Sequence, residues 1–93
     1  MEQNKIVQLN TIEEVKEYFK GKKAMQKIAT AMYKKGYKGP YSVYYWNLLD
    51  ISCGNISVNF DVNHKVYYIM QNNRAIHEAK SSDDIIALLP YNC

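Results

Sequence analysis

Arginine is almost missing from this chain: Arg74 stands alone against eleven lysines. The planar guanidinium fork reads guanine edges bidentately, whereas lysine acts as a point charge. Any contact with nucleic acid is therefore expected on the phosphate backbone, where it would be steeply salt-dependent and weakly sequence-specific. Cysteine is scarce as well. Cys53 and Cys93 are the only two, so a disulfide scaffold is excluded and two free thiols are expected, one in a turn and one at the C-terminus. With His64 and His77 they show none of the short spacings of a zinc site, and no metal is expected. No stretch approaches the ~18 apolar residues of a membrane helix. The start, "MEQNKIVQLN", lacks the apolar run of a signal peptide. A cytoplasmic protein without a membrane partner is the expectation. A glycine-rich phosphate loop and a nucleophile elbow are also missing, and the chain is short for a fold with a deep pocket. These gaps argue against an enzyme, a cofactor and a small-molecule substrate.

What is present describes one ordinary globular domain over residues 1–93, with 47% hydrophobic and 23% charged residues. Abundant Lys, Asn, Ile and Tyr suit AT-rich codons, which points towards a low-GC bacterium or its phages and plasmids. The net charge of +3 is unevenly placed: residues 1–40 hold nine lysines against four glutamates, and residues 41–93 hold three cations against five acids. Between Lys20 and Lys38 there are seven lysines and no acid.

Local patterns give the elements. "KIVQL" (5–9) suits a short strand. In "NTIEEVKEYFKG", Thr11 and Glu14 form a capping box and Gly21 suits the C-cap. Ile12, Val15 and Phe19 centre near ~335° on a helical projection, whereas Met25, Ile28 and Met32 centre near ~195°. One straight helix cannot point both stripes at one core, so two helices are predicted, 12–20 and 23–35, broken at Gly21. Gly36, Gly39 and Pro40 end the second. "SSDDIIALLP" reads as a third helix, with Ser81 as N-cap and Pro90 as the stop.

From residue 41 the period becomes two. "GPYSVYYWNLLDI" (39–51) has the aromatic enrichment of a strand, although Pro40 would also suit the start of a helix. "NISVNFDV" alternates cleanly, and "KVYYIMQ" and "RAIHEAK" follow it. Two-residue turns are expected at Cys53-Gly54, Asn63-His64 and Asn72-Asn73. The predicted fold is α+β: a single domain with an antiparallel four- to five-stranded meander sheet packed with three helices. One sheet face would carry Leu49, Ile51, Ile56, Val58, Phe60, Tyr67, Ile69 and Ile76 as core. The other would carry Tyr44, Trp46, Leu48, Val66, Tyr68, Met70 and His77, interleaved with Ser57, Asn59 and Asp61, and Leu48, Asn59, Tyr68 and His77 would share one row.

Two surfaces could act. Tyr44, Trp46, Tyr68 and His77 would form an aromatic sheet face suited to a protein partner; alternatively, helices cover that face and only hydroxyls reach solvent at its edge. On the second helix Lys23, Lys27 and Lys34 lie within ~40° of one another, opposite the apolar stripe, with Lys38 just beyond. That face suits phosphates or an acidic patch, or it is a solvated helix surface. Aromatics on a sheet beside lysines also fit single-strand binding, but no RNP-type pattern accompanies them. The functional expectation is a small non-enzymatic binding protein that occupies a protein partner, in the manner of a phage- or mobile-element-encoded, anti-CRISPR-like inhibitor of a host defence system. A nucleic-acid accessory protein using the lysine helix is the alternative.

Overall fold

Gly21 adopts φ +86° and divides the N-terminal helical stretch where the two apolar stripes diverge. The computed structural model describes residues 6–45 and 48–91. Among them, β1 (Val7–Leu9) leads into α1 (Ile12–Tyr18) and α2 (Lys23–Lys34). These are followed by β2 (Tyr41–Tyr45), β3 (Leu48–Cys53), β4 (Ile56–Asp61), β5 (Val66–Gln71), β6 (Arg74–Ala79) and α3 (Ser82–Leu88). Thr11 Oγ1 accepts from Glu14 N while Glu14 Oε1 accepts from Thr11 N, so the predicted capping box is formed. Ser81 caps α3 through Asp84 N in the same way.

The fold is α+β as predicted, but the antiparallel sheet has six described strands in sequence order, not four or five. The difference lies in residues 39–51. They do not run as one strand: β2 ends at Tyr45, β3 begins at Leu48, and the two pair as a hairpin with Tyr45 opposite Leu49. β1 then adds to the outer edge of β2, with Val7 opposite Val43.

All three helices share one side of this sheet, and the core lies between. Phe19, Met25, Ile28 and Met32 from the helices meet Tyr41, Val43, Ile51, Ile56, Val58 and Ile69, each at most 1% exposed. Ile85 and Leu89 of the α3 segment join the same cluster. Period-two alternation places Tyr41 and Val43 inward and Tyr44 outward, so the tyrosine-rich stretch contributes to both faces of the sheet. The Tyr41 hydroxyl donates to the Tyr37 carbonyl, and burial above all pushes its pKa up to about 12.

Turn chemistry fixes the rows. The β3–β4 turn is Gly54-Asn55, one residue later than predicted, and Cys53 belongs to β3 opposite Ile56. Gly54 supplies positive φ (+65°) at the first turn position, where a cysteine would be strained. A turn moved by one residue moves the pairing by two, so every side chain keeps its predicted face but meets a new neighbour. The β4–β5 connection spans residues 62–65 instead of two residues, yet the predicted register holds, with Asp61 opposite Val66. Asp61 Oδ1 accepts from Asn63 N and His64 N, and His64 Nδ1 lies 2.9 Å from Asp61 Oδ2. These bonds hold the Asp61 carboxyl below its ordinary range. Asn72 and Asn73, both at positive φ, make the predicted tight turn.

Beyond that turn β6 holds one extra residue against the Ile69/Met70 step. Such a bulge reverses the faces of everything after it. His77 consequently stands opposite Ile69, not Tyr68, and Ile76 is 39% exposed instead of joining the core.

Candidate functional site

The sheet side away from the helices is the first candidate. One row crosses five strands: Tyr44 on β2, Asp50 on β3, Asn59 on β4, Tyr68 on β5 and Glu78 on β6. Compared with the predicted row, Asp50 has replaced Leu48 and Glu78 has replaced His77. The shifted turn causes the first change and the bulge the second, and together they convert a row without carboxylates into an acidic one. The adjoining row is small and polar, with Ser42, Ser52 and Ser57 leading to Met70.

Within the main row Asp50 and Asn59 are directly paired across β3 and β4. Asp50 Oδ1 and Asn59 Oδ1 are both closed off from solvent and have no hydrogen-bond partner. Burial pushes the Asp50 pKa up to about 6. Unsatisfied buried acceptors cost stability, and native proteins retain few of them. A trough of about 390 Å³ extends from Asp50 past Ser52 and Ser57 to Met70 and the Asn55, Asn72 and Asn73 turns.

Of the predicted aromatic residues, Tyr44 and Tyr68 do share this row, both half-buried. His77 does not. It sits on the exposed edge strand at a register position facing the helix side. Trp46 lies outside the described residues. Asp50 was missed as a site residue, although an acid inside "LLDIS" was a visible signal: carboxylates are rarely buried without a partner.

The helix side carries the second candidate, a groove of about 860 Å³ between α2 and α3. Lys23, Lys27 and Lys34, expected on one face of the second helix, line it together with Lys16, Gln26, Lys35 and Tyr91. Two of these lysines are already engaged. Lys27 Nζ meets Asp83 Oδ1 at 2.7 Å. Lys35 Nζ donates to the Ile86 and Leu89 carbonyls at 3.1 and 2.6 Å, satisfying the C-terminal end of α3. Lys38 stands apart, over the Tyr33 ring at 5.3 Å from its centroid. Charge is thus segregated by side. At their open-face register positions the strands present Asp50, Asp61 and Glu78 and no lysine or arginine, while the groove opposite is lined by five lysines and one aspartate.

No protein family, curated protein or solved structure matches this chain. Function must therefore be argued from these two surfaces. Among the described residues no three His, Cys, Asp or Glu side chains gather as metal ligands, and no helix is long and apolar enough to cross a membrane.

Proposed function

We propose that this chain is a non-enzymatic binding protein that acts by occupying a protein partner with the open face of its sheet. The observation that carries this reading is the tyrosine-flanked pair of orphan acceptors, Asp50 and Asn59, on a face that none of the described helices covers. Half-buried tyrosines offer large, rigid, amphipathic contact area. Buried acceptors without donors cost stability that an arriving donor would recover. Low cysteine content suits a reducing intracellular compartment. A small chain that works by occupation alone suits an inhibitor, and a phage- or mobile-element-encoded inhibitor of a host defence system is the version its size and codon-linked composition favour. The open face is acidic, but its acids are interleaved with tyrosines and hydroxyls instead of forming a phosphate-like array, so it suits a protein groove better than mimicry of DNA.

The groove supports a second reading, a nucleic-acid accessory protein. Lys16, Lys23 and Lys34 line it without an ion-pair partner among the described residues. Comparative capture from the native host separates the two. Wild-type protein and a Lys23→Glu/Lys27→Glu/Lys34→Glu variant should retain the same protein, and a Tyr44→Ala/Tyr68→Ala variant of unchanged fold should lose it. If the lysine variant loses the partner instead, and wild type binds DNA or RNA with an affinity that collapses between about 50 and 200 mM salt, the second reading replaces the first.

A further inference from the structure

We infer that the Asp50–Asn59 pair receives an arginine side chain of the protein partner, its guanidinium held by the two Oδ1 acceptors and flanked by the Tyr44 and Tyr68 rings. This rests on the open face being the binding surface. Directly opposed residues on antiparallel strands have Cβ atoms roughly 5 Å apart, so the two acceptors are close neighbours aimed out of the same side of the sheet. Both lack a donor and neither Oδ1 is exposed to solvent, so a neighbouring side chain must move aside on entry, and the bound group must bring its own hydrogens and lose its hydration. Guanidinium suits that demand better than ammonium. It is planar, carries five N–H donors in a fixed fork, is more weakly hydrated and stacks on aromatic rings. Tyr44 is the register partner of Asp50, and Tyr68 that of Asn59, so each acceptor has a tyrosine next to it on the open face.

Charge favours the same occupant. Asp61 and Glu78 share the open face with Asp50, and no described strand residue places a cation there. A carboxylate or phosphate would be repelled by these three acids. Rotation of the Asn59 amide to satisfy Asp50 internally would close the site, and the experiment below detects it as silence.

The test is a titration of ¹⁵N-labelled protein with acetyl-Gly-Arg-Gly-amide, its lysine counterpart and its citrulline counterpart, which keeps the arginine shape without the charge. The arginine peptide should shift the Asp50 and Asn59 backbone resonances and the Asn59 side-chain amide. It should bind at least ~10-fold more tightly than the citrulline peptide, as a charge-assisted pair requires, and more tightly than the lysine peptide. Asp50→Asn, which removes charge without volume, should abolish that advantage with the rest of the spectrum unchanged. No shift, an equal citrulline or lysine response, shifts mapping elsewhere, or an undiminished Asp50→Asn response would each overturn the proposal. Concentration-dependent broadening of this face without peptide would assign it to a second copy of the chain and also overturn it. A silent titration beside a capture-defective tyrosine variant removes the arginine pocket alone; a tyrosine variant that captures normally removes the binding face itself.

Discussion

Asp50 and Asn59 face each other across the β3–β4 ladder with an oxygen apiece that no donor reaches. The pair sits in the middle strands of a sheet whose other side is densely packed, where an isoleucine or valine would be expected to stabilise the fold better. Stability given up at one spot while the rest of the strand obeys its pattern is the usual mark of a binding position.

The carboxyl at that spot should make stability depend on pH. Asp50 titrates at about 6 in the folded chain against an ordinary 3.8. Between those values the native state holds more protons than the unfolded one, so stability falls as pH rises from about 4 to about 6. Above that range the cost of the buried charge is fully present. Tyr44 from β2, Tyr68 from β5 and the like-charged Asp61 and Glu78 accompany it on that face, and the described strands place no cation there to offset it. Asp50→Asn should therefore stabilise the protein by roughly 1–2 kcal/mol at pH 7.5, allowing for partial solvent access, and add little at pH 4. Urea unfolding at the two pH values measures the difference; an equal gain at both would place the effect elsewhere.

Two glycines should respond differently to alanine. Gly39 has φ +110°, and a Cβ there would lie 2.8 Å from the Asn10 carbonyl oxygen and 3.2 Å from the Tyr41 ring. Gly39→Ala should cost about 2–4 kcal/mol, combining strain with a backbone clash between the start of β2 and the end of β1. Gly21 also has positive φ, +86°, but nothing lies within 4 Å of its would-be Cβ. Gly21→Ala should cost only about 1 kcal/mol. Thermal unfolding of the pair checks this, and similar losses would refute the steric part of the argument.

Lys35 is expected to matter for α3 and not for binding. Its Nζ supplies a donor to the Leu89 carbonyl and a second donor to the Ile86 carbonyl, which already accepts from Leu89 N. Lys35→Met keeps the stem but removes these bonds, and should destabilise by roughly 1–2 kcal/mol. Hydrogen exchange should locate the loss in α3 and leave the central strands protected.

Much of this architecture was legible in the chain. The capping box at Thr11, the phase break between Phe19 and Met25, the Ser81 cap and the alternation of residues 56–61 each specify local structure, because caps and apolar periodicity depend on neighbours within a few residues. The buried stripe of α2 and the inward faces of β3, β4 and β5 followed from the same periodicity. The hairpin inside 39–51 was not legible, since "YWNLL" carries neither the glycine nor the paired-asparagine signal that marked Cys53-Gly54 and Asn72-Asn73.

The candidate site depended on longer-range facts. The sequence by itself determined which residues alternate with which, that lysines would crowd one helix face, and that Tyr44 and Tyr68 would point away from the core. Only the tertiary structure decided what stands between those tyrosines. Whether Leu48 or Asp50 opposes Asn59 depends on which residue of a turn takes positive φ, and whether His77 or Glu78 opposes Tyr68 depends on one bulged residue at an edge strand. Each is a choice between registers that leave the local pattern almost equally satisfied, so the packing of the whole sheet against its helices, not the strand's own sequence, selects between them.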